Sequence, residues 1–263
     1  MGSRAAERCL WAIAAVSMLL ATGCHPKNGS LPAKRGARPL TMPDGEHQVV
    51  FGGGMAFRSG ESDSVFTGPR YRYGITDRLE LNLLGLGYRM PLGRHSEVRV
   101  RANFLGFVTR RFEAAYSGDP REMGYKNENA TFYMSGITTR TDLGNDVTAF
   151  ASLSVGGYYS TLYGTNVNGG KLSGAFVYDG YGGGQLSFAL PFAVSHGVEH
   201  DNREETTGSI TLGGYDTSGT DAPIVSVRVT KQFDLFAAPF VRFDLQDYDI
   251  TAGILSGLDW HWD

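Results

Sequence analysis

Cysteine is nearly absent. The 263 residues hold two, Cys9 and Cys24, both close to the amino terminus. Residues 25–263 therefore form no disulfide framework, cysteine-based metal site or catalytic cysteine. Charge is scarce too, at 19% of residues against an ordinary share of about 25%. The net charge is −3 with no dense basic block, which speaks against nucleic acid as a partner. No run reaches the roughly 20 apolar residues of a membrane-crossing helix. After residue 23 no stretch has the periodicity of an amphipathic helix. What abounds is glycine, with 36 residues, and aromatic side chains at 12%. In helices that glycine would cost about 0.8–1 kcal/mol per position. A hydrophobic share of 41% is nevertheless ample for a packed interior, which excludes a disordered chain.

Residues 1–23 have the build of an export signal. Arg4 and Arg8 form a short basic start, and Leu10 to Ala21 is an almost unbroken apolar run. Twelve residues suit a signal core and fall short of a spanning helix. The run ends Leu20-Ala21-Thr22-Gly23-Cys24, which resembles the lipobox of bacterial lipoproteins. That resemblance implies diacylation of Cys24, cleavage before it, and processing by the lipoprotein machinery. His25, rather than an aspartate, follows the cysteine, which resembles lipoproteins forwarded to the outer membrane. Residues 24–46 are rich in Pro, Gly and basic residues. They read as a flexible tether whose Lys27, Lys34, Arg35 and Arg38 face solvent or anionic headgroups. The expected organisation is signal 1–23, tether 24–46 and a β domain over 47–263.

From Gln48 onward the pattern alternates with period two, the mark of strands with two chemically different faces. Val98, Val100, Ala102 and Phe104 alternate with Arg99, Arg101 and Asn103, until Leu105 and Phe107 blur the polar face. Val147, Ala149, Ala151, Leu153 and Val155 alternate with Thr148, Ser152 and Ser154, with Phe150 the exception. Turn-forming strings such as Gly74-Ile75-Thr76-Asp77, Asp142-Leu143-Gly144-Asn145 and Asp179-Gly180 punctuate the runs. Eleven runs emerge. A closed bacterial barrel wants an even number, so a turn at Asp179-Gly180 predicts twelve strands, and a loop at 207–214 predicts ten.

Period-two stripes suit a membrane barrel or a soluble sandwich. The apolar faces, full of Gly, Ala and aromatics, favour a wall against lipid. Tyr71 and Tyr73, Tyr158 and Tyr159, and Trp260 and Trp262 sit at strand ends, where amphipathic rings suit headgroups. The last run, with Gly257, Trp260 and Trp262, resembles the C-terminal assembly signal of outer-membrane β-barrels. Residues 71–81 resemble a strand–turn–strand of small Gram-negative barrels. These resemblances imply an all-β fold, an antiparallel up-and-down transmembrane barrel of 10–12 strands, in outer-membrane lipid and assembled by the barrel machinery. In that register Arg99 and Arg101 face the lumen with Arg70, Arg72 and Arg78. Glu80 and Glu97 are their partners. A slip by one residue would expose each arginine to lipid at about 2–4 kcal/mol. The network either fills the interior or lines a narrow passage of anion preference.

No catalytic constellation stands out. His196-Gly197-Val198-Glu199-His200 has the H-x-x-E-H spelling of inverted zincins, but that spacing has meaning only on a helix. His95-Ser96 and Ser195-His196 are adjacent pairs, and neighbours on a strand point to opposite faces. Gly52–Gly54 and Gly182–Gly184 lack the Lys-Ser/Thr ending of a phosphate loop. The expectation is a non-enzyme without metal or organic cofactor, the lipid on Cys24 aside. Three roles stay open: a barrel lipoprotein with a structural, surface or narrow-pore role, a soluble β-sandwich lipoprotein that binds or assembles envelope components, and a lipid-modifying barrel enzyme.

Overall fold

The computed structural model describes residues 31–58, 61–83, 85–113, 124–160, 165–200, 204–215 and 222–262. The signal and Cys24 lie outside the described residues. Thirteen strands follow in order: β1 (His47–Arg58), β2 (Glu61–Thr76), β3 (Leu79–Asn82), β4 (Gly85–Pro91), β5 (Ser96–Glu113), β6 (Gly124–Gly144), β7 (Val147–Ser160), β8 (Thr165–Tyr181), β9 (Leu186–His200), β10 (Glu204–Gly213), β11 (Val225–Thr230), β12 (Phe233–Asp244) and β13 (Ile250–Trp262). Each pairs antiparallel with its neighbours, and β1 closes on β13 along its whole length, from His47 opposite Trp262 to Arg58 opposite Thr251. This is a closed barrel, which sets the sandwich aside.

The barrel has twelve staves because β10 and β11 share one. Leu212 pairs with Phe192 of β9, and Val225 then pairs with Phe188 of the same strand. Gly213 and Gly214, at φ of 80° and 83°, turn the chain off the wall between the two halves. A Cβ on Gly213 would lie 2.2 Å from the Pro239 carbonyl oxygen, so only glycine fits this exit. Tyr215 then lies against Val50, Phe236, Ala238 and Leu255 inside the barrel.

Among the described side chains, apolar residues alternate outward along the staves. Leu190, Phe104, Leu212 and Leu153 point outward, with Leu190 73% exposed, as lipid-facing side chains do. A lower belt of Tyr71, Tyr73, Tyr178, Tyr181, Trp260 and Trp262 rings the end that bears His47 and Trp262, and His47 stacks on Trp262 with ring centroids 5.2 Å apart. Tyr133 and Tyr159 stand at the other, upper end of the outer face. Tyr158 faces the lumen instead, by the same alternation.

Two departures from the sequence expectation shape the interior. Residues 31–46, expected as a tether, lie inside the lower barrel, where Leu31, Leu40 and Met42 are buried. The second departure lies between Leu79 and Pro91, where residues 78–90, which alternate in the sequence as one strand, fold back as the β3–β4 hairpin. The flanking strands continue far above its tip. Among the described residues no ladder joins β2 beyond Arg72 to β5 beyond Asn103. The wall thus has a gap, one hairpin wide, in its upper half.

Candidate functional site: a plugged lumen

The segment over residues 31–46 contains only one 3-10 turn, Arg35–Ala37, so it has no helix or sheet ladder of its own to pair most of its backbone. Each peptide group buried without a partner is costly. The barrel wall supplies the partners from its side chains. Carboxylates accept the N–H groups: Arg35 and Gly36 donate to Asp179 at 3.1 and 2.6 Å, Leu40 to Glu97 at 2.7 Å, and Met42 to Glu80 at 3.1 Å. Guanidinium groups donate to the carbonyls. Leu40 O accepts from Arg72 at 2.6 Å and Arg99 at 2.8 Å, Arg38 O from Arg140 at 2.6 Å, and Leu31 O from Arg228 at 2.9 Å.

The plug's own arginines answer in kind. Arg35 reaches Asp259 at 3.1 Å and Asp234 at 3.6 Å, and Arg38 reaches the same two carboxylates at 3.5 and 2.5 Å. Asp259 is fully buried, and Gln48 donates to its second oxygen at 2.8 Å. At the plug's entrance Lys34 pairs with Asp146, which raises the lysine above its usual pKa. Apolar contacts complete the seat: Leu40 packs on Phe150, Ala175, Val177, Ala189 and Ala222. Phe150, the break in the polar stripe of β7, points inward because it lies against the plug. Fit is close elsewhere as well. A Cβ on Gly36 would sit 2.4 Å from the Thr148 hydroxyl oxygen. Beside the plug remains a void of about 40 Å³, room for a water or two.

Of the six residues expected in a lumen network, Arg72, Glu80 and Arg99 come together. Arg72 Nε lies 2.9 Å from Glu80 Oε2, and Arg99 Nη1 3.4 Å from Glu80 Oε1. Arg101 is buried on the same inward face of β5, and half-buried Arg70 opposes Val50 on the inward face of β2. Arg78 is a correction. It lies in the β2–β3 turn, exposed, with its N–H on the Thr76 hydroxyl at 3.2 Å, because the turn interrupts the alternation. Gly257 faces inward and meets Phe51 O and Phe236, whereas Trp260 and Trp262 face outward. Glu97, with Arg89 at 3.1 Å and Arg140 at 3.4 Å, joins the network.

Sequence reasoning missed Arg35, Arg38, Asp179, Asp234, Asp259, Arg140 and Arg228. The five wall residues among these stand at inward positions of their strands and were open to the same parity argument. The two plug arginines were not, since their segment has no period.

The adjacent histidine–serine pairs do not converge. His95 is exposed beside Asp142 at 3.9 Å, and Ser96 bonds Thr141 at 3.1 Å. Ser195 faces inward to Ser209 at 2.8 Å while His196 is exposed. The H-x-x-E-H string lies on extended β9 rather than on a helix, and the side chains of Glu199 and His200 lie outside the described residues.

No protein-family model matches the chain, and no curated protein does. Among solved structures, the chain is similar to outer-membrane expressed OmpT of Vibrio cholerae, at 8% identity, covering 85% of this chain and 100% of that one with a TM-score of 0.37. It is similar also to the P. putida toluene transporter TodX (8% identity, 89% and 92% covered, TM-score 0.39). A third is the Ralstonia pickettii toluene transporter TbuX (9% identity, 89% and 95% covered, TM-score 0.37). At these scores the likeness says nothing of what this chain binds or does.

Proposed function

We propose that this chain is an outer-membrane β-barrel lipoprotein whose own residues 31–46 close the lower mouth, so that its resting lumen passes no ions. One observation carries this reading: wall side chains hold the plug through both the N–H and the C=O groups of its backbone. Residues merely filling a pore by chance would have no such set of partners on six strands, β2, β3, β5, β6, β8 and β11. The outward apolar band with tyrosine and tryptophan at its borders supports a bilayer location. The export signal and lipobox resemblance support the outer membrane and a lipid on Cys24. From Cys24 to Leu31 the chain reaches at most about 24 Å, enough to join an acyl anchor beside the barrel to a plug inside it. The lipid then limits how far the plug can leave. No catalytic role is proposed.

Planar-bilayer conductance tests the closed lumen. The intact mature chain is expected to give a silent membrane. The paired substitution Asp234→Ala, Asp259→Ala, and separately a chain lacking residues 31–44, are expected to give stepwise, anion-preferring currents past Arg72, Arg99 and Arg101. Boiled and unboiled gel mobility checks that each variant is a folded barrel. Equal conductance in the intact and plugless chains would overturn the proposal.

A further inference from the structure

Above the plug the lumen changes character. Two cavities meet there at one cation, Lys171 of β8. The larger, about 480 Å³, lies within the range of about 300–1,000 Å³ typical of small-molecule sites. Phe132, Met134, Tyr158 and Val167 line it with Lys171. The smaller, about 160 Å³, has Lys171 and Arg242 against Pro191, Ala193, Phe240 and Leu255. Arg242 also faces Asp244 at 3.9 Å. The surroundings are mostly carbon, with the Lys171 ammonium and the Arg242 guanidinium at one end, each also engaged with a neighbouring group; an anionic head that joins or replaces those contacts and an apolar body would match this chamber.

The gap between β2 and β5 opens towards this chamber. Leu105, Phe132, Tyr158 and Val167 occupy one inward row, each opposite the next across β5, β6, β7 and β8. Leu105 stands at the gap's edge and is 41% exposed, and Leu83 at the hairpin tip is 46% exposed. Leu83 donates to Tyr71 O at 3.1 Å, five residues from the lower end of β2. At about 3.3 Å per residue and a tilt near 40°, that tip stands about halfway up a bilayer core. Backbone edges within hydrocarbon need water or a polar partner. The gap therefore offers polar strand edges beside leucine side chains. Asn103, at its foot and 8% exposed, has a side-chain oxygen without a hydrogen-bond partner.

We infer that the upper chamber binds an anionic amphiphile drawn sideways from the bilayer through the β2–β5 gap, its head held between Lys171 and Arg242 and its chain along Met134, Phe132 and Tyr158. This takes from the preceding section only that the barrel sits in a bilayer; it is independent of the plug.

The test uses the full mature chain in phosphatidylcholine nanodiscs, with spin-labelled stearic acid and its methyl ester as probes. Electron paramagnetic resonance is expected to show a saturable immobilised signal for the acid, and binding of the ester weaker by about tenfold, the worth of one charge-assisted contact. Lys171→Gln should bring the acid down to the level of the ester, Lys171→Arg should restore it, and Met134→Trp should displace both. Heat-dependent gel mobility confirms that each variant is folded. Acid and ester binding alike in the unaltered chain, or only the unsaturable signal of lipid around the barrel, would overturn the inference. Neither result depends on whether the plug blocks ions, which conductance reads separately.

Discussion

The two halves of the lumen share the same staves and the same alternation, yet are built of different matter. On β5 the inward side chains run Glu97, Arg99, Arg101 and Asn103, and then Leu105. On β7 they run Thr148, Phe150, Ser152 and Ser154, and then Gly156 and Tyr158. The lower half surrounds a peptide that brings its own unpaired N–H and C=O groups. The upper half surrounds open space. Charge on the lower wall therefore tracks the plug: Glu80, Glu97, Asp179, Arg72, Arg99, Arg140 and Arg228 replace partners that a helix or sheet would have supplied to its backbone, and Asp234 and Asp259 answer its two arginines. A filled lumen and a chamber coexist in one barrel because its interior is dictated row by row.

The comparison breaks first at Asp259. In Asp259→Ala, Arg35 loses its closest carboxylate in a buried site, and stranding a buried partner costs about 3–5 kcal/mol. Urea-dependent folding into lipid vesicles should show that loss, and a smaller one for Lys171→Ala in the upper half, where the side chain borders a cavity. Equal effects at the two sites would mean that the plug contributes no more to stability than an open wall does.

Apolar packing sharpens the contrast. Phe150 fills the seat of Leu40, so Phe150→Ala should lower stability by about 3 kcal/mol, as in other cores. Tyr158→Ala, one turn of alternation into the chamber, removes a ring that borders a cavity and should cost well under half of that. The same urea titration reads both. A larger loss at Tyr158 would place the packed core in the wrong half.

The strand pattern was legible in the sequence because lipid on one side and lumen on the other impose period two. Even so, twelve staves emerge from eleven runs only through compensating differences. Residues 78–90 are two strands and residues 171–192 are two, while 207–214 and 223–232 form one. The β3–β4 turn is marked only by Asn82 and Gly85 at its two ends, and the apolar Leu83 between them hides it within the run. The turn expected at Asp179-Gly180 falls instead at Gly182–Gln185. Strand ends such as 124–128 and 165–170 lie in polar stretches of the sequence, 113–128 and 163–173, because beyond the bilayer both faces of a strand meet water. The plug was invisible for a different reason. Its composition is that of a linker, and what fixes it, Asp179, Asp234 and Asp259, lies more than 140 positions away along the chain.

The smallest expected effect is the most pointed about parity. Arg72 and Arg78 are both arginines, six positions apart, and simple alternation assigns them to one face. Arg72 is 5% exposed and bonds Glu80, Gln48 and Leu40; Arg78 sits in the turn. The bonds made at Arg78 are backbone bonds, its N–H to Thr76 and its carbonyl to the Arg89 N–H at 2.7 Å, and alanine retains both. Arg78→Ala should therefore change folding stability by no more than about 0.5 kcal/mol and leave the silent bilayer silent. A loss comparable to that of Asp259→Ala would place Arg78 in the lumen after all. It would also mean that the chain keeps its alternation through the β2–β3 turn instead of resetting there, and every inward assignment from Leu79 to Pro91 would move to the opposite face.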